Sequence, residues 1–162
     1  MKFEGEYLNG KINGKGKEFY ENGNLSFEGE YLNGLRNGKG KEYYEDNVLK
    51  FEGEYCSGKK NGEGKDYNEI GDLIFIGQYI NGERNGIGKE FYINGDIEFE
   101  GDYLDGIRWN GKGVEYNLNG DIEFEGEYSN GKRWNGIVKE YDYEDDSLIS
   151  EGKIIKGEVF IN

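Results

Sequence analysis

The feature that most limits what this chain can fold into is a repeat period of about 24 residues. The stretch Phe27 to Asn47, FEGEYLNGLRNGKGKEYYEDN, returns with small changes along the whole sequence. Its opening aromatic appears as Phe3, Phe27, Phe51, Phe75, Phe99 and Phe124, and Glu151-Gly152-Lys153-Ile154 opens a worn seventh copy. A fixed period of roughly 20 to 50 residues marks an array in which one supersecondary unit stacks on the next.

Each copy divides at two turn signals, Asn9-Gly10 and Asn22-Gly23 in the first. Asn-Gly between short runs with aromatic ends predicts a two-residue hairpin turn, because a type I′ turn needs positive φ at both central residues. No stretch shows a 3.6-residue apolar period, and the chain contains no proline. The expected fold is all-β: an elongated single-layer antiparallel β-meander of about seven tandem hairpin repeats. With both Asn-Gly pairs as two-residue loops, Glu4 lies across from Lys15, Gly5 from Gly14, Phe3 from Gly16 and Glu28 from Lys17. The same register pairs Ile76 with Ile87, where other copies carry an ion pair.

Alternation along the strands then separates two faces. One carries Phe3, Gly5, Tyr7, Gly14, Gly16, Tyr20 and Leu25, so that a large ring covers bare glycine backbone. The other is a ladder of Glu4, Glu6, Lys15 and Lys17 with Phe19. A side chain added at Gly40 should therefore cost more than one at Ser26. Glu18, Glu42, Asp66, Glu90, Glu115 and Glu140 fall on the aromatic face, where a bulge beside Gly-x-Gly would be needed to move them.

The chain has 34 acidic and 20 basic residues, a net charge of −14 and no histidine. Such a surface repels nucleic-acid phosphates and anionic headgroups, so no nucleic-acid partner is expected and a membrane is disfavoured. Its 29 glycines are more than twice the usual ~7%, but 25 aromatic residues argue against disorder. A single cysteine, Cys56, fits a reducing compartment. Met1-Lys2 runs directly into the first repeat without an apolar stretch, so a cytoplasmic location is expected.

Nothing in the repeats resembles a catalytic set, and the expectation is no enzyme, no cofactor and no metal. Cys56 stands where other copies carry leucine and has no imidazole partner. Asp142, Glu144, Asp145 and Asp146 lack the ligand order of an EF-hand loop. Gly14-Lys15-Gly16-Lys17 opens no helix and recurs with the repeat, unlike a phosphate-binding loop.

The pattern F-E-G-E-Y-x-x-G-x-x-x-G-x-G, at Phe3–Gly16 and again at Phe27–Gly40, resembles the MORN repeat. The linking segments Phe19–Gly23 and Tyr43–Asn47 resemble its bacterial antitoxin-like branch. The family's common Trp at the fifth position is Tyr here. The resemblance divides the chain into six repeats over residues 1–149 and a degenerate capping hairpin over 150–162, as one continuous array. It implies a twisted single-layer sheet and a scaffolding or partner-binding role, in some members with dimers or phospholipid binding.

Three features stand above the repeat as candidate partner-binding sites. Ile74, Ile76 and Ile87, with Tyr67 and Phe91, would form an apolar patch on the charged face, or a local packing variant. Trp109 and Trp134 are one-residue insertions, placed to contact a partner or to cover a hairpin. Val159, Phe160 and Ile161 form a final strand with no Lys or Pro to block strand addition, which points either to a homodimer through the C-terminal end or to a cap that only seals the array. Val138, in the sixth copy, replaces a glycine present in the first five. The leading function is a scaffold binding a protein, with a basic partner favoured. The alternatives are an antitoxin-like neutraliser of a basic toxin or enzyme, and a membrane-associated phospholipid binder.

Overall fold

The computed structural model describes residues 2–142 and 145–161. Glu144 of the acidic turn lies outside them. The described residues form one open antiparallel sheet of fourteen strands, whose order follows the chain from first to last. Two compact units are present, Met1–Gly86 and Ile87–Asn162. The first holds β1 (Lys2–Leu8), β2 (Lys11–Phe19), β3 (Leu25–Leu32), β4 (Leu35–Tyr43), β5 (Leu49–Cys56), β6 (Lys59–Tyr67) and β7 (Leu73–Ile80). The junction falls within β8 (Glu83–Phe91). The second holds β9 (Ile97–Leu104), β10 (Ile107–Tyr116), β11 (Ile122–Ser129), β12 (Lys132–Tyr141), β13 (Leu148–Ile155) and β14 (Glu158–Ile161).

The first turn of each repeat is the expected one. Asn9 and Gly10 have φ of 50° and 76°, and Leu8 pairs with Lys11 across them. The second is not a two-residue loop. Gly23 N–H donates to Tyr20 O at 3.0 Å and Tyr20 N–H to Asn24 O at 2.8 Å, which leaves Glu21, Asn22 and Gly23 as a three-residue loop. Gly23, at φ 88°, supplies the left-handed residue that closes such a loop. Asn47, at φ 70°, takes that place in the next copy.

Within hairpins the expected register is off by two residues in the first three repeats. Glu4 faces Lys17 rather than Lys15, Gly5 faces Gly16, and Phe3 faces Glu18. Glu28 likewise faces Lys41, and Glu52 faces Lys65. The cause is a bulge on the second strand, where Gly14, Gly38 and Gly62 adopt φ of 98°, 88° and 108°. Hairpins β1–β2, β3–β4 and β5–β6 thus do not use the register that paired Ile76 with Ile87. Between repeats the expected pairs stand: Lys17 faces Glu28 and Lys41 faces Glu52.

The tryptophan insertions restore the expected register in repeats five and six. There the bulge is a single residue, and Phe99 faces Gly113 while Phe124 faces Val138. This explains Val138. In repeat two the Phe27 ring lies over Gly29 and Gly40, whose Cβ positions would be 2.7 and 2.5 Å from its Cζ. In repeat six the Phe124 ring has moved to Gly126 and Gly136, whose Cβ positions would be 2.9 Å from its Cζ and its Cε2. The position equivalent to Gly40 is freed to carry a side chain.

In each unit the core is a column of rings without a second layer. Phe27, Phe51, Phe75, Phe99 and Phe124 are fully buried. Each meets tyrosines edge to face: Phe27 lies 5.6 Å from Tyr31 and 5.3 Å from Tyr55, and Phe51 lies 5.6 Å from Tyr55 and 5.5 Å from Tyr79. Such pairs contribute ~0.5–1.5 kcal/mol beyond burial. Ser26, expected to tolerate substitution, is buried, and its hydroxyl has no partner.

The hairpins are also latched along their type I′ edge. Gly34 N–H donates to Ile12 O at 2.8 Å, and Asn33 N–H to Asn13 Oδ1 at 3.3 Å. The same pair of bonds joins Gly58 and Ser57 to Arg36 and Asn37, and Gly82 and Asn81 to Lys60 and Asn61. At Gly131 and Gly157 the acceptors are the carbonyls of Trp109 and Trp134.

Candidate functional site

The two faces differ in what they leave open. On the aromatic face the six misplaced acids stay where alternation puts them, and those described in detail anchor a cover over the rings. Arg36, paired across from Tyr31, donates from Nη2 to Glu18 Oε2 and from Nη1 to Glu42 Oε1, both at 2.7 Å. Its guanidinium lies 4.0 Å above the Phe27 ring, a cation–π contact. The Tyr31 hydroxyl donates to Glu18 Oε1 at 2.6 Å. Lys60 repeats the arrangement over Phe51 at 3.8 Å with Asp66, and Arg84 over Phe75 at 4.0 Å with Asp66. In the second unit Arg108 binds Glu90 and Glu98, Arg133 binds Glu115, and both lie farther from their rings, at 5.4 and 4.9 Å. These cations, two residues after the first turn, were visible in the sequence as Arg36, Lys60, Arg84, Arg108 and Arg133 but unread, because partners such as Glu18 for Arg36 lie in another repeat, and those in the same repeat, such as Glu42, lie on a neighbouring strand.

Burial would raise the carboxyls of Glu18, Asp66 and Glu115. Hydrogen bonds from Arg36, Lys60 and Arg133, with Tyr31, Tyr79 and Tyr128, outweigh it and hold all three below the ordinary carboxylate range. The same contacts keep the tyrosines neutral: burial, then the carboxylate, pushes Tyr31, Tyr79 and Tyr128 well above the usual phenol value. These are acids and phenols locked in one protonation state, unsuited to proton transfer near neutrality.

The ladder face is open. In the first unit it carries a groove of about 860 Å³ that runs across the strands. Its floor is the backbone of Gly5, Gly16, Gly29, Gly40, Gly53 and Gly64, paired in one unbroken row. Seven glutamates and five lysines line it, and Ile76 closes one end. One wall is the row Glu4, Lys17, Glu28, Lys41, Glu52, Lys65, held by Lys17–Glu28 at 3.5 Å and Lys65–Glu52 at 3.1 Å. The Tyr43 and Tyr67 hydroxyls brace Glu28 and Glu52 from behind at 2.8 and 3.0 Å. Burial, then these carboxylates, pushes both phenols up to about 12.

Of the sequence candidates, Tyr67, Ile74 and Ile76 lie on this face of the first unit, each half-buried, with Ile76 directly across from Lys65. Ile87 and Phe91 lie on β8 in the second unit, Ile87 exposed and Phe91 half-buried. Trp109 and Trp134 lie against the next hairpin's turn: Trp109 Cε3 is 3.9 Å from the Cβ position of Gly131, and Trp134 Cε3 is 3.6 Å from that of Gly157. Val159, Phe160 and Ile161 are exposed on β14, which pairs with β13. Sequence reasoning missed Ile70, Ile93 and Leu118, which stand 74%, 73% and 105% exposed in successive linking loops, Ile70 at the second loop position and Ile93 and Leu118 at the first. Their signal was an apolar residue one or two places before a turn glycine.

No curated protein matches the chain. The MORN repeat family model matches residues 3–25, 27–48, 75–97 and 124–134, each match opening on a phenylalanine, and Phe3, Phe27 and Phe124 among them lie over glycine. With that sequence pattern, the consecutive hairpins and the matches in four copies, the chain is a MORN-repeat protein.

Proposed function

We propose that this chain is a non-catalytic scaffold that binds another protein along the ladder face of its first unit. The observation that carries this reading is the glycine-floored groove with alternating charge on its wall and Ile76 at its end. A floor without side chains lets a partner's backbone approach closely, and ordered Glu–Lys rows favour one register of approach over others. The net charge of −14 favours a partner of basic surface. The aromatic face supports no comparable reading, because its rings are covered by its own arginines, lysine and tyrosines.

A photoreactive amino acid placed at exposed Lys39, within the groove, tests the proposal in the cells that make the protein. The expected result is a discrete adduct with a second protein, weakened by Ile76→Glu and by high salt. An adduct yield no greater than from a probe at exposed Glu21, outside the groove, overturns it.

A further inference from the structure

We propose that Asn9 is a site of spontaneous deamidation, set apart from the other Asn-Gly turns by the absence of a latch. Asn9-Gly10, Asn33-Gly34, Asn81-Gly82 and Asn130-Gly131 share one dipeptide and one backbone shape, with asparagine φ of 50°, 52°, 54° and 51°. They form a comparison built into the molecule. In three of them the glycine N–H donates to the preceding hairpin: Gly34 to Ile12 O, Gly82 to Lys60 O and Gly131 to Trp109 O, at 2.8, 2.8 and 3.0 Å. The asparagine N–H is held as well, by the side chains of Asn13, Asn61 and Asn110 at 3.3, 3.3 and 3.2 Å. Among the described residues neither bond is made at Asn9-Gly10, and both residues are exposed.

The other Asn-Gly pairs described in detail are restrained too. Asn13, Asn37, Asn61, Asn110 and Asn135 use their side-chain oxygens as those latches. Gly23, Gly95 and Gly120 donate to Tyr20, Tyr92 and Asn117 within their loops.

The chemistry needs only water. The Gly10 nitrogen attacks Asn9 Cγ, a C–N bond closes a five-membered imide, and the Cγ–Nδ2 bond breaks. Ammonia leaves, carrying the proton lost from Gly10 N–H. Water then opens the ring at either carbonyl, yielding aspartate or isoaspartate with no change of oxidation state. Attack requires the glycine nitrogen to swing out of its hydrogen bond, which Gly10 is spared. The product carries one more negative charge, and isoaspartate adds a backbone methylene that a two-residue type I′ turn cannot absorb.

The test is incubation of the full chain at neutral pH and body temperature, followed by peptide mapping that separates aspartate from isoaspartate. Conversion at Asn9 is expected about tenfold faster than at Asn33, Asn81 or Asn130, the scale set by a typical net hydrogen bond. Equal rates at the four sites overturn the proposal.

Discussion

Replacing Gly40 by alanine tests the ring-over-glycine packing directly. The added Cβ would sit 2.5 Å from Phe27 Cζ, 2.7 Å from Cε2 and 3.2 Å from Tyr55 Cε2. Carbon contacts settle near ~3.5–4.0 Å, so the ring would have to retreat by about 1 Å. It has no room to do so. Phe27 is fully buried, flanked by Tyr31 and Tyr55, with the Arg36 guanidinium 4.0 Å above it. Overpacking of this kind costs ~1–3 kcal/mol, while the loss of glycine's freedom in the unfolded chain returns ~0.4–1 kcal/mol. The expected net loss is about 1–2 kcal/mol. Phe27→Leu removes the outer ring atoms that clash, so in that background Gly40→Ala should cost little or nothing. Urea unfolding of the four chains, followed by far-UV circular dichroism, gives the coupling. Lys39→Ala serves as the exposed control, since Ser26 is buried. Additivity within ~0.5 kcal/mol would refute the packing argument.

Arg36→Ala should destabilise by about 2–3 kcal/mol, below the full cost of breaking a buried pair because the site is partly wet; a melting curve unchanged from wild type would show that Glu18 and Glu42 need no cation. Stability should fall as pH drops through and below the ordinary carboxylate range: Glu18, Asp66 and Glu115 are depressed in the fold, so their contribution is complete above their unfolded pKa values and is lost on protonation. Glu18→Gln should flatten that acid dependence relative to wild type in parallel urea titrations across pH, and an equally steep fall would count against the network. Deleting Trp134 should return hairpin six to the two-residue bulge and bring Val138 under the Phe124 ring, costing ~1–3 kcal/mol. Val138→Gly should restore stability in the deletion but not in the intact chain, and an equal effect in both would contradict the register account.

The sequence by itself determined the repeat, the all-β hairpins, the type I′ turns at Asn9-Gly10 and its copies, and the burial of one ring per repeat beside glycine. Those features are local: a turn dipeptide, a period of two and a small residue next to a large one. The pairing between repeats was also legible, because Lys17 and Glu28 sit close to a single turn. Tertiary structure alone decided the register within each hairpin. Whether the second strand carries two extra residues, at Gly14, or one, at Trp109, depends on how the bulge docks with the next hairpin's turn, through Ile12 O and Asn13 Oδ1 in the first case and Trp109 O and Asn110 Oδ1 in the second. No local signal counts those residues. The acids on the aromatic face were misfits for the same reason, since Glu18 is satisfied by Tyr31 and Arg36, 13 and 18 residues away. The groove follows from that decision: placing Gly5 opposite Gly16 and Gly16 opposite Gly29 is what lines the glycines into one floor.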